Sequence, residues 1–484
     1  MKKLMIIVAL AVATLTAQAQ RLLIVSSDGA HDRYLLSDIE RITYEEDMEF
    51  TNDLLPYRIA ADPKTQIFGE ALKLTGIDKL IAKHESTIIP FGTDQSSRDS
   101  VYNGFMVPIP NGVQTFSKVK WCAEFPTKFT AFVETDEVLR QHGINNLDDL
   151  KAYAKRIYDE AYPDDASVSD PTARNNSLNR FVAYHLLSFC VDYDNLVSNK
   201  RIKDYYDRSK HDICTFYPTL MPYSTVKISD IDGRNFLNRR GLGSAATVEG
   251  VGVSTPTEMG ELGMATNGRY YYLDDLLTYG TETQEQVLTD HWTVNFRSLS
   301  PMLMSIVPWN IFGMYNEDVG IALKGDVMDN IQADSKTILV YNPGTPYFNM
   351  LDCDAFYAVG DGEFTIKLPA LPKGNWELRM GISVSQQRGV IQSYIDGVAQ
   401  GIPIDQRVYP ENYGSNYGVY HAPDYYFPAG GVSPLADMTW RVSYTMGSLH
   451  SDGQTDHYLR IKQVLEDPYT VSLIDYLEFV PLNK

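Results

Sequence analysis

The stretch 128–139, KFTAFVETDEVL, constrains the fold of this chain more than any other part of it. A run that is apolar on both sides passes through a polar, acidic turn directly into a helix start. Phe129, Ala131 and Val133 alternate with Thr130 and Phe132. A strand bulky on both sides belongs inside a sheet whose two faces are covered. Thr135 or Asp136 then offers an N-cap oxygen to a helix whose apolar side carries Val138 and Leu139. Two later pieces have the same buried character. SLNRFVAYHLLSFC, 177–190, reads as an amphipathic segment running into a strand, with Tyr184 and His185 near its middle. TNGRYYYLDDLL, 266–277, opens on Asn267-Gly268, a hairpin turn signal, and its tyrosines alternate into Leu273, Leu276 and Leu277.

In this order the three pieces resemble a fasciclin-like (FAS1) domain. That family's pattern is a T-x-F-x-P-T-x-x-A-type motif, a Tyr-His pair, and a closing Asn-Gly, strand and Asp-x-x-Leu segment. Thr130 and Phe132 fall in the first part, Tyr184-His185 in the second, and Asn267-Gly268 with Asp274, Asp275 and Leu277 in the third. Glu134 stands where a proline is common, and Val138 replaces a small or aromatic residue. The likeness reaches back to about Asp62, through IFGEALKLTGIDKLI, where Phe68, Ala71, Leu72, Leu74, Ile77 and Leu80 share one helical face. The resemblance implies an α+β fasciclin-like domain over 51–280, in which Thr130, Phe132, Tyr184, His185, Asn267 and Gly268 are structural.

Residues 1–20 carry Lys2 and Lys3, an apolar run over 4–15, and Ala17-Gln18-Ala19 as a cleavage site, which is the pattern of a secretory signal peptide. The chain is therefore expected to be exported, to the periplasm, the cell surface or the extracellular space. No cysteine follows the apolar run, so a lipid anchor is not expected, and no later stretch is long and apolar enough to span a bilayer. Cys122, Cys190, Cys214 and Cys353 allow two disulfides in three pairings or buried free thiols, and no Cys/His spacing suggests zinc. The net charge of -20 repels phosphate backbones and anionic membranes, which argues against a nucleic-acid partner.

At 484 residues the chain exceeds one ordinary core. Segment 21–50 reads as a small β-hairpin module, similar to one that follows the leader of exported Bacteroidetes proteins. The fasciclin-like region holds two insertions, 88–122 and 193–262. The glycines of the second match neither a phosphate-binding loop nor a dinucleotide fingerprint. Segment 281–325 is expected to lie between domains. Beyond it, 326–484 reads as strands at 337–341, 363–368, 376–382, 389–395, 439–445, 457–463 and 470–480, which predicts an all-β jelly-roll sandwich. FTIKLPALPKGNWELRMGIS, RGVIQSYIDG and the closing SLIDYLEFVP resemble a galactose-binding-like module. The order of the two domains resembles exported Bacteroidetes fasciclin-domain proteins.

Several residues invite chemistry. Tyr184-His185 reads as a hydrogen-bonded core pair before a recognition element. Asp230-Ile231-Asp232-Gly233 and Asp361-Gly362-Glu363 carry carboxylates at turns, readable as a structural calcium site or as plain turns, and no other cofactor is expected. The tyrosine-rich segment 409–427 is the binding candidate. Tyr409, Tyr413, Tyr417 and Tyr420 offer faces for sugar rings, and Asp396, Arg407 and His421 offer polar clamps. No G-x-S-x-G, H-E-x-x-H or Cys/His signature is present. The expectation is a non-catalytic adhesion or glycan-binding protein of the cell envelope, partnered by a glycan or an envelope protein. The alternatives are a structural subunit docking onto a glycan-uptake complex and, last, a glycoside hydrolase.

Overall fold

The computed structural model describes residues 21–25, 31–35, 53–88, 105–109, 112–116, 118–121, 124–197, 213–242, 245–260, 263–306, 319–323, 330–342, 355–384, 388–408, 419–421, 440–465 and 470–482. The chain divides into two units, 1–51 and 52–484. In the first, Arg21–Val25 and His31–Leu35 form an antiparallel pair, from Arg21 opposite Leu35 to Val25 opposite His31. Residues 1–20, expected to be a leader, and the tyrosines of 409–418 lie outside the described residues.

The second unit is mostly β, with several sheets and few helices. Strand Phe129–Glu134 is buried along its whole length and sits inside a four-stranded mixed sheet. It pairs in parallel with Gly268–Leu273, Gly268 opposite Phe129, and antiparallel with Leu186–Leu187. A Cβ on Gly268 would stand 2.2 Å from the Phe129 carbonyl oxygen, so only glycine allows these strands to start side by side. The acidic turn after the strand does cap a helix. The Thr135 hydroxyl accepts from the Val138 N–H, and Asp136–Gln141 follows. Asn146 and Asn176 cap helices Leu147–Ala161 and Ser177–Tyr184 in the same way.

The residues singled out in this region are held by buried polar bonds. Thr130 Oγ1 donates to the Phe189 carbonyl and accepts from the Val191 N–H, fixing the 186–191 segment to the strand. Phe132 stacks with Tyr271. The Tyr184 hydroxyl meets Asn238 and the Thr225 carbonyl. Asn267 Oδ1 accepts from the Leu55 N–H, while its Nδ2 donates to the Ile81 and Lys83 carbonyls, so one side chain joins two helices. Glu134, at the position where the resemblance expects proline, connects all three motif pieces. Its Oε1 lies 2.7 Å from His185 Nε2 and accepts from the Leu277 N–H, and both Glu134 and His185 are fully buried.

The rest of the unit is antiparallel for the greater part. Ile213–Pro218, Thr225–Ile231, Arg234–Leu237 and Val251–Gly252 make a meander, and Asp232-Gly233, both with positive φ, form the tight turn between its middle strands. Two larger sheets then face each other. The five-stranded one runs Ile331–Ala333, Glu363–Lys367, Tyr458–Gln463, Val390–Ile395, Val398–Asp405. The nine-stranded one runs Val419–His421, Trp440–Ser451, Gly374–Val384, Val471–Pro481, Ala355–Val359, Ile338–Asn342, Val319–Leu323, Lys118–Trp121, with Trp292–Asn295 added beside Val471–Pro481. Phe364, Ile366, Ile391, Leu459 and Ile461 from one sheet and Trp376, Leu378, Met380, Ile382 and Leu477 from the other fill the space between them. Ser393 also donates across to the Met446 carbonyl.

Segment 281–325, expected to lie between domains, takes part in this sheet. It supplies Trp292–Asn295 and Val319–Leu323 to the nine-stranded sheet, and the first insertion supplies Lys118–Trp121. Trp292 stacks on Phe216 with ring centres 4.5 Å apart and leans on Trp376 at 5.8 Å. Buried side chains from Leu55 to Phe479 form one hydrophobic cluster, because the large aromatics of the linking segment are shared by both sides.

Candidate active site

Strand Gly374–Val384 alternates inward Trp376, Leu378, Met380 and Ile382 with outward Glu377, Arg379 and Gly381. Its neighbours are in register: Arg379 is opposite Thr445 on one side and Glu478 on the other, and Gly381 is opposite Ser443 and Tyr476. Glycine at 381 matters because a Cβ there would meet the Tyr476 ring at 2.3 Å. The missing side chain lets Tyr476 lie across the strand and leaves Ser443 and Glu478 free to meet over it. The Ser443 hydroxyl donates to Glu478 Oε2 at 2.8 Å. Arg379 Nε donates to Glu377 Oε1 at 2.5 Å. His291 stands just before Trp292–Asn295, in which Thr293 is opposite Glu478, and its Nε2 lies 3.7 Å from Glu478 Oε1.

This patch combines a buried acid with an ion-paired carboxylate. Glu478 is 2% exposed. Burial pushes its carboxyl above the ordinary value of 4.5, and the charge of Glu377 adds to that push, while the Ser443 hydrogen bond and the Arg379 charge oppose it. Two carboxylates in unlike settings, one buried with its pKa raised and one ion-paired with a guanidinium, are the arrangement that divides acid from base. Sequence reading missed these residues. The available signal was the pair of carboxylates, Asp475 and Glu478, inside the largely apolar closing run SLIDYLEFV.

The residues expected to bind ligand are placed differently. Tyr409, Tyr413 and Tyr417 lie outside the described residues. Tyr420 and His421 belong to Val419–His421, whose backbone brings Tyr420 opposite Ser443. Asp396 sits in a left-handed turn with Gly397, accepts from the Tyr458 N–H, and lies 2.7 Å from His457 Nδ1. Arg407 grips Asp405 with two N–H groups at 2.7 Å, and that grip holds the Asp405 carboxyl below its usual range. Asp396 and Arg407 are thus engaged locally, at the ends of strands in the five-stranded sheet. Asp230 Oδ1 accepts from the Gly233 N–H, and Glu363 pairs with Arg460. Among the described residues no three His, Cys, Asp or Glu are grouped to hold a metal ion. Cys190 is a free thiol, and Cys122 and Cys353 lie outside the described residues. No helix among the described residues is long and apolar enough to cross a membrane.

No family model matches the chain, and no curated protein does. Similar solved structures include a Paenibacillus xanthan lyase (14% identity, 34% of this chain and 12% of that one, TM-score 0.17). They also include the catalytic domain of GH87 alpha-1,3-glucanase in complex with nigerose (12%, 34% and 28%, TM-score 0.19). A third is the CBM36-1 domain of a multidomain xylanase from the hindgut metagenome of Trinervitermes trinervoides (12%, 27% and 79%, TM-score 0.16). The matched part spans well under half of the first two. At these scores the likeness carries no argument about activity. It does bear on the expectation of a non-catalytic adhesion or glycan-binding protein, or of a docking subunit. Those expectations are corrected, since a xanthan lyase and a GH87 catalytic domain stand among the matches.

Proposed function

We propose that this chain is a hydrolase acting on a neutral carbohydrate, with Glu478 as general acid and Glu377 as general base. The observation that carries this reading is the pair itself: a carboxyl raised by burial, facing Arg379, whose own partner is a second carboxylate. Glycosidic cleavage needs one carboxylic acid to protonate the leaving oxygen and one carboxylate to take a proton from the attacking water. The glycosidic C–O bond breaks as the water oxygen bonds to the sugar carbon, and both protons are accounted for by the two glutamates. The net charge of -20 favours neutral over polyanionic substrates, and strand Val419–His421 runs beside Ser443 in the same sheet.

The test is release of reducing ends from a panel of neutral polysaccharides by the wild type, Glu478→Gln and Glu377→Gln. Each variant is expected to lose on the order of 100-fold or more in kcat. A wild type inactive on every member, or variants as active as it is, would overturn the reading.

The finer architecture is also our reading. Residues 51–280 are a fasciclin-like α+β domain, supported by the contacts of Thr130, Glu134, His185 and Asn267, and the facing sheets beyond it are a jelly-roll, galactose-binding-like sandwich. Export through the leader 1–20 would place the enzyme where polysaccharides are met.

A further inference from the structure

We propose that His291 is the proton relay that recharges Glu478, and that Ser443 fixes which carboxyl oxygen carries the acid proton. The inference rests on the acid and base reading of Glu478 and Glu377. The Ser443 hydroxyl occupies Glu478 Oε2 as a donor, and a protonated carboxyl accepts best at its carbonyl oxygen, so the proton belongs on Oε1. Oε1 is also the oxygen that faces His291. The two residues differ sharply in access to water: the His291 side chain is 45% exposed, and that of Glu478 is 2% exposed. A buried acid that has given up its proton needs a carrier reaching solvent, and an imidazole exchanges protons near neutral pH.

The groups facing Glu478 are Arg379 and Glu377 on Gly374–Val384, Ser443 on Trp440–Ser451, and His291 ahead of Trp292–Asn295. Arg379 is bound to Glu377, Glu377 is the base of the reading, and Ser443 is the donor to Oε2, which leaves His291 as the relay among these four. At 3.7 Å the imidazole is beyond direct hydrogen bonding, and a small rotation of this exposed ring or one bridging water closes the gap. The cycle balances. Glu478 passes the Oε1 proton to the leaving oxygen while Glu377 takes one from water. After product leaves, imidazolium Nε2–H returns a proton to Oε1, His291 takes one from solvent, and Glu377 sheds one to solvent.

His291→Ala and His291→Gln, with folding checked by circular dichroism, should lose roughly 10-fold or more in kcat with little change in KM. Added imidazole should restore the His291→Ala rate and leave Glu478→Gln unrescued. If Glu478→Gln is inactive while both His291 variants match the wild type, or stay impaired in imidazole, the relay is refuted and the acid and base reading stands. If the wild type is inactive, or Glu478→Gln is as active as it, both fall together.

Discussion

Asn267→Ala tests how the first region is held together. The Asn267 side chain is 1% exposed and makes three bonds, of 2.8, 2.7 and 2.8 Å, to Leu55 N–H and the Ile81 and Lys83 carbonyls. Leu55 opens helix Leu55–Ala61, so its N–H has no partner within the helix. Ile81 is fully buried as well, while Lys83 is exposed and its carbonyl has water to turn to. Truncation therefore leaves two buried groups unsatisfied, at about 1–2 kcal/mol each, for a total of about 2–4 kcal/mol. That is a large part of the roughly 5–15 kcal/mol by which domains are stable. A chain of this size need not unfold in one step, so the assay is amide hydrogen exchange at Leu55 and its helix. Protection should drop by about 30- to 700-fold. Asn267→Asp sharpens the test. It keeps an acceptor for Leu55 but turns an oxygen toward two carbonyls and buries a charge, so it should be at least as harmful as alanine despite its matching shape. Unchanged protection at Leu55 in the alanine variant, or a well-tolerated aspartate, would refute the reasoning.

Glu478→Gln should change how stability depends on pH. Burial raises the folded carboxyl above 4.5, so the folded chain keeps a proton that the unfolded chain has lost; the associated stability is complete below 4.5 and is lost as pH rises through the folded value. The variant should show a flatter thermal midpoint between pH 4 and 8 and a higher one at pH 8, and parallel curves would count against burial as the cause. Trp292→Ala removes a fully buried indole between Phe216 and Trp376 and should destabilise by about 3–5 kcal/mol. Exchange should quicken together in Ile213–Pro218 and Gly374–Val384, and loss of protection in one strand alone would argue against a shared core.

Local patterns carried the elements well where each residue's setting depends on near neighbours. Glu363–Lys367 alternates half-exposed and buried, and Thr135 caps as its hydroxyl predicts. Ala355–Val359 and Val398–Asp405 were not anticipated: the first is apolar without alternation, and the second is an edge strand exposed along much of its length and broken by Gly401 and Pro403. The candidate site was illegible for a different reason. His291, Glu377, Arg379, Ser443 and Glu478 come from four strands or their flanks, and their meeting depends on register and on an absent side chain at Gly381. The role of Glu134 was hidden likewise, since its partners at His185 and Leu277 belong to later segments.

The final strand, Val471–Pro481, lies in the middle of the nine-stranded sheet. One edge is bound by Gly374–Val384, and the other is shared end to end by Ala355–Val359 and Trp292–Asn295. A growing chain released before residue 471 therefore has flanking strands with no centre to attach to, and their unpaired edges stay open to other chains. The sheet can close only after residues 471–481 have been synthesised, which makes deletion of that strand far more damaging than loss of the hairpin 21–35, in a separate unit.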